Sequence, residues 1–482
     1  MPVYAIACVG ALCAPGFGSR DPVSLTLEGG RIVSVEPSTV ASTTLAMPML
    51  TNTHDHARPV RASSLGAAGK PLELWLSYLA LLPPIDPYLA AAASLGRSAL
   101  GGAGAVMVHH TRFRSFAAVP EEAAATARAA RDIGLRIGFA VAMRDRNPLV
   151  YGPSDPVLVA LAPEARAEIT RRICSPAPDV VSQMRLVDEV DAALGEGIQA
   201  QYGPTGPQWC SDELLVAIAE SSALTGRRVH MHLLESRYQR EWADRQEKHG
   251  GLVHWLADIG LLSPRLTLAH CTYARAEELA LIAESGATIA VNTSSNLQIR
   301  SGIAPVAAMV RAGCRVALGL DGLGLDEDDD GLREMRLAHL LHRGWGFAEA
   351  LSEADILAMA VRNGRPAVLG EGEEGGGLLA PGEPADVLLI DMDRLDSDKL
   401  PIAPEPGGLL LARGTRHHIA EVIVGGRSIA RDGRLTGIDH EAVTAELLAA
   451  VRYGMASSRD LAAALPQLES AMARHFHLPF CC

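Results

Sequence analysis

The chain has 16 histidines and three HxH pairs, His54/His56, His230/His232 and His475/His477, where chance predicts about half a pair. On a strand, alternation puts both imidazoles of such a pair on one face and the residue between them, Asp55 in the first pair, on the other. The first pair gains weight from its company. His232, His270 and Asp321 each lie at the end of a short apolar run, in VHMHLLE, LTLAHC and VALGLDG. Three neutral imidazoles and one carboxylate can bind a divalent ion such as Zn2+ and still leave a position for water, as a catalytic site requires. His230 shares a face with His232 and competes with it as the ligand, but only His232 stands three residues before Glu235. That spacing brings Glu235 to the point where strand gives way to loop, within reach of the water as a general acid/base.

Residues at the ends of successive runs need a frame that gathers those ends. Between about residues 47 and 321, eight runs (LAMPMLTNTHDH, AVMVHH, RIGFAVAM, IQAQYG, RRVHMHLLE, LTLAHC, TIAVNT, VALGLDG) alternate with helical patterns such as EEAAATARAARDIG and ARAEELALIAESG. Eight strand-helix units predict an α/β fold, a (β/α)8 TIM-type barrel with its chemistry at the carboxyl ends of the strands. Extra length falls at residues 144–197, where Pro148, Pro153, Pro156 and Pro163 mark an inserted loop with its own helices. Segments 21–36, 385–392 and 420–434 are β-rich around Gly-Gly turns. They predict a small β-sandwich built from both chain ends, residues 1–46 and 376–482, around a barrel at 47–375, with GEGEEGGGLLAPGEPAD as the linker. The tail, EAVTAELLAAVRYGMASSRDLAAALPQLESAMARH, is helical in period and is expected to pack on the outside. The opening VYAIACVGALCAPG has no Lys or Arg before it and reads as a first strand, not a secretory segment.

Composition excludes several classes. A formal charge of -13 repels phosphate backbones and anionic lipid, so nucleic acid and membrane are not expected partners. No window approaches the roughly 20 apolar residues that span a bilayer. The eight cysteines are scattered without a CxxC pair, which predicts reduced thiols in the cytoplasm. The expected partner is a small-molecule substrate; monomer and homo-oligomer both stay open.

Taken together, these segments resemble the amidohydrolase superfamily, in the branch of mononuclear metal deaminases and chlorohydrolases that includes cytosine, guanine and S-adenosylhomocysteine deaminases. The resemblance rests on MPMLTNTHDH, VHMHLLES, LAHC, VNTSSNLQIRSGIAPV, LGLDG, PGEPADVLLID and VIVGGRSIARDGR, and covers nearly the whole chain. It implies that His54, His56, His232 and Asp321 bind the metal, that Glu235 and Asp321 handle protons, and that His270 hydrogen-bonds the water or the atom under attack. Relatives with two metals bridge them through a carboxylated lysine on strand four, whereas IQAQYG has no Lys. The resemblance therefore implies one divalent ion, Zn with Fe as the alternative. The implied reaction is hydrolytic deamination of a small amino-substituted N-heterocycle. Cleavage of a cyclic amide, a substituted amine or a halide is the alternative, and a non-catalytic scaffold the minor one.

Three positions depart from the family pattern: Met49 for Gly, Thr205 where adenosine-type relatives often have His, and Leu325, Asp326, Glu327 where many have Ser-Asn-Asn. Thr205 argues against a nucleoside arm. Thr205, Trp209, Asp326 and Arg144 are the candidate substrate contacts, Asp326 as acceptor for ring amino groups. His109, His110, Arg58, Arg61 and Trp75 are further candidates for the pocket lining, each with a structural role as the alternative.

Overall fold

The computed structural model describes residues 3–14, 17–19, 21–146, 149–174, 176–370, 376–401 and 405–477. Its central sheet has eight parallel strands in chain order: β1 (Leu50–Asp55), β2 (Ala103–His110), β3 (Arg136–Met143), β4 (Ala200–Pro204), β5 (Val229–Leu233), β6 (Leu266–His270), β7 (Thr288–Val291) and β8 (Arg315–Leu318). Helices cover them on the outside. On helix Val119–Ile133, Ala123, Ala127, Ala130 and Ile133 recur at helical spacing and are buried against the strands. Helix Asp212–Thr225 begins where Ser211 Oγ accepts Leu214 N at 3.1 Å and ends at Gly226, φ 75°, a left-handed position suited to glycine.

The first apolar run divides. Thr44–Pro48 belongs to a second sheet, and the barrel strand starts after Met49. That second sheet interleaves both chain ends, in the order Arg434–Leu435, Arg427–Arg431, Ile419–Val424, Val387–Asp391, Thr44–Pro48, Gly10–Ala14, Phe17–Ser19. A three-stranded sheet of Tyr4–Cys8, Val23–Glu28 and Arg31–Pro37 lies against it. Alternation explains the runs LAMP and VLLI. Ala46, Val387 and Leu389 face Leu25, Leu27 and Ile32 of the small sheet, while Leu45, Met47, Leu388 and Ile390 face the barrel. The sheet is buried on both sides. Residues 371–375 of the predicted linker lie outside the described set, as does Pro148 of the insertion.

The tail is helical, over His440–Gly454 and Arg459–His477. Its stripe of Leu461, Leu465, Leu468 and Met472 does more than coat the exterior. It forms a separate core with Leu74 of the helix after β1 and with Leu149, Val157, Leu161 and Ile169 of the insertion, on the side where the strands end. No helix among the described residues is long and apolar enough to cross a membrane.

Candidate active site

The barrel brings the predicted residues together. Ligating atoms of His54, His56 and His232 lie within 4.8 Å of one another, and so do those of His54, His270 and Asp321. Asp321 Oδ1 stands 3.5 Å from His54 Nε2 and 3.2 Å from His56 Nε2, and His232 Nε2 is 3.2 Å from His56 Nε2. Burial holds the pKa of His54 and His232 well below the ordinary imidazole value, and lowers His56 and His270 as well. Neutral rings keep a lone pair for a metal. Backbone carbonyls decide which nitrogen offers it: His56 Nδ1 donates to His109 O at 2.8 Å and His232 Nδ1 to Thr205 O at 2.7 Å, so both Nε2 atoms face the centre. His54 Nε2 is buried without a hydrogen-bond partner. An orphaned nitrogen among facing imidazoles and a carboxylate is a donor set that fits one divalent ion.

Two carboxyl groups diverge in charge. Burial alone would raise Asp321, but the Arg58 guanidinium, with Oδ1 at 3.3 Å, and the His54 and His56 rings hold it well below the usual carboxylate range. Ser295 also donates to Asp321 Oδ2. Glu235 moves the other way: burial first, then the Asp321 and Glu73 carboxylates, push it well above the usual range. Its Oε1 is 3.5 Å from His270 Nε2, and His270 Nδ1 donates to Asn296 Oδ1 at 2.8 Å. The backbone is strained at these strand ends. Ala57, Leu234, His270, Cys271 and Asp321 are non-glycine residues with φ between 48° and 75°, a region L-residues rarely enter.

The remaining candidates separate. His230 contacts a ligand ring, its Nε2 2.7 Å from His54 Nδ1, and with His109 it forms a fully buried tier below the site. His110 faces outward and pairs with Glu122 at 2.8 Å. Arg58 lies 4.7 Å from the Trp75 ring while it pairs with Asp321, and Arg61 is exposed. Thr205 turns its hydroxyl to Met143 O at 3.4 Å, and its carbonyl accepts from His232 Nδ1. Asp326, the candidate acceptor for ring amino groups, lies in the loop after β8. It is exposed and paired with Arg333, which draws it into solvent. The acids after it are buried instead: Glu327 accepts Ser63 N at 3.1 Å, Asp329 pairs with Arg97 at 3.3 Å, and Asp330 caps helix Gly331–His342 through Arg333 N at 3.0 Å. Trp209 is buried beside Tyr151, ring centroids 5.9 Å apart, and its neighbour Gln208 lines a cavity of about 350 Å³ with Arg146, Gly152 and Trp242. Arg144 is half-buried, which lowers its pKa, and no carboxylate pairs with it among the described residues.

The site also holds a group the sequence did not single out. Glu73, buried on helix Leu72–Leu79, accepts from Tyr151 OH at 2.8 Å and from the Ser236 hydroxyl. LELWL signals only an amphipathic helix. Asn292, Ser295 and Asn296, in contrast, stand within VNTSSNLQ, a segment whose motif already marked it.

A model of the amidohydrolase family matches residues 45–428. A 5'-deoxyadenosine deaminase from Methanosarcina barkeri is 32% identical over 270 residues, 55% of this chain and 60% of that protein. The match thus spans about 60% of that relative's length. An 8-oxoguanine deaminase from Pseudomonas aeruginosa is 28% identical over 444 residues, covering 88% of this chain and 93% of its own. Among solved structures, a zinc-bound adenosine deaminase from Xanthomonas campestris has a TM-score of 0.72 at 21% identity, over 93% of this chain and 98% of that one.

Proposed function

Because the chain belongs to the amidohydrolase family, we propose that it is a metal-dependent hydrolytic deaminase of a small amino-substituted N-heterocycle. One observation carries the reading: the buried convergence of His54, His56, His232 and Asp321, with Glu235 beside His270. These four residues would hold one divalent ion, Zn by the neutral imidazole donors. Such an ion, when bound, lowers the pKa of a water towards neutrality and polarises the carbon's substituents.

The side chains supply the rest. Glu235, 3.5 Å from His270 Nε2, takes one proton from the attacking water and gives it to the ring nitrogen beside the carbon under attack. His270, fixed by Asn296 through Nδ1, presents Nε2 towards the reacting atoms. The Asp321 carboxylate, kept ionised by Arg58, accepts the second proton from the added oxygen as the carbonyl forms and hands it to the departing nitrogen. A C–O bond forms, the C–N bond breaks, and ammonia leaves. The reading extends to a cytoplasmic enzyme acting on a small molecule.

The 8-oxoguanine deaminase matches 88% of this chain, so that ring class heads the test. Metal-loaded protein should release ammonia from at least one of 8-oxoguanine, guanine, cytosine, a pterin or an amino-triazine, with 5'-deoxyadenosine separating base from nucleoside. Release from none, with hydrolysis of a cyclic amide or a chloro-triazine instead, would replace deamination by the alternative reaction.

A further inference from the structure

Asp55, the last residue of β1, lies between His54 and His56, fully buried, and its side chain serves a purpose the proposed chemistry does not use. The pairing of β1 with β2 slips between Asn52 and Asp55, and a bulge of this kind re-aims side chains. Here it brings Asn52 Nδ2 within 2.7 Å of Asp55 Oδ2. The same oxygen accepts Gly322 N at 3.0 Å, and Oδ1 accepts Ala57 N at 2.7 Å. One carboxylate therefore takes three N–H donors, two of them from the peptide groups that follow His56 and Asp321.

Those peptides are the strained ones. Ala57 has φ 48° and Asp321 φ 56°, both outside the conformations that L-residues prefer, and Gly322 follows at φ 63°. They also sit at the barrel's seam, where no strand ladder joins β1 to β8 among the described residues. Leu320 N and Asp321 N reach His54 O at 3.2 and 2.8 Å, and Leu320 N also reaches Asn52 Oδ1 at 2.9 Å. We propose that Asp55 is a positioning residue for the metal ligands, its carboxylate stapling the turn after His56 to the turn that carries Asp321 across the open seam. The inference rests on the one-metal reading above and adds the element that holds its ligand set in register.

Asp55→Asn tests this without a change of volume. Its amide NH2 would face either Ala57 N or the Gly322 and Asn52 donors, so at least one bond is lost. Chelator-stripped wild type and variant would be titrated with Zn2+ against a chromophoric chelator, and Co2+-loaded samples recorded in the visible range. The inference expects Zn2+ affinity weakened about 10- to 100-fold and an altered Co2+ spectrum, with far-ultraviolet circular dichroism unchanged. A residue that only supports the fold would move neither metal readout. Affinity within about twofold of wild type and an identical Co2+ spectrum would overturn it while the functional reading stood. Absence of Zn2+ binding by the wild type would take down both. Should Asp55→Asn fail to fold, Asn52→Ala, which removes one donor to Asp55, should still weaken Zn2+ binding several-fold, and unchanged affinity there would also overturn the inference.

Discussion

The carboxyl ends of the barrel strands and the terminal sandwich solve opposite problems with the same chain. At the strand ends, Ala57, Leu234, His270, Cys271 and Asp321 take left-handed conformations without being glycine, and buried polar atoms such as His54 Nε2 and Asn292 Oδ1 lack partners. In the sandwich, two turns fall on glycine pairs, Gly29–Gly30 and Gly425–Gly426, Asp432 is the one non-glycine among the described residues there with a left-handed φ, at 49° in a tight Asp-Gly turn, and Leu25, Leu27, Ile32 and Val387 fill an apolar core. Strain and unmet polar groups are tolerated only where surrounding structure over-determines them, and they concentrate where function needs a fixed geometry. The barrel face is therefore built for chemistry and the sandwich for stability.

The sharpest way to break that contrast is to remove a ligand. His232→Ala or Asp321→Ala should lose the metal and reduce turnover to background, measured by elemental analysis and initial rates; retained metal would place the site elsewhere. Glu235→Gln should keep the metal and lose about 10² to 10⁴ in kcat. Leu25→Ala in the sandwich should do the reverse, lowering stability by about 2–5 kcal/mol in urea unfolding with metal content and kcat of the folded enzyme intact.

A buried group outside both regions sharpens the comparison further. His342, without a partner at Nε2, has its pKa pushed down to about 4 by burial. In the unfolded chain it protonates near 6.5, so the unfolded state takes up the proton first as pH falls. Stability is full above about pH 6.5 and declines towards pH 4, by about 3 kcal/mol over that window. His342→Phe should flatten this slope, read from urea midpoints at pH 7 and pH 5. The smallest effect belongs to Asp326→Ala: its exposed pair with Arg333 is worth about 0–1 kcal/mol, and kcat/KM should stay within about twofold of wild type.

Much of the site was legible because strand ends in a barrel share one face, so the positions of His54, His56, His232, His270 and Asp321 along their runs already placed them together. Glu235 followed from its spacing to His232. What stayed hidden depends on partners far along the chain. Nothing local in the acidic run says that Asp326 pairs outward with Arg333 while Asp329 turns in to Arg97, far earlier in the chain. The Thr205 carbonyl meets His232 Nδ1, a contact that composition cannot register. Glu73 looked like any acid on an amphipathic helix until Tyr151, from the insertion, and Ser236, after β5, met it. The tail's periodicity announced helices but not that they would share a core with that insertion.

The metal content of the purified protein tests most directly whether His54, His56, His232 and Asp321, gathered at the ends of β1, β5 and β8, hold one metal ion. Elemental analysis after dialysis should find about one equivalent of divalent metal per chain, removed by a chelator and restored by Zn2+. Two equivalents, or none that can be restored, would contradict it.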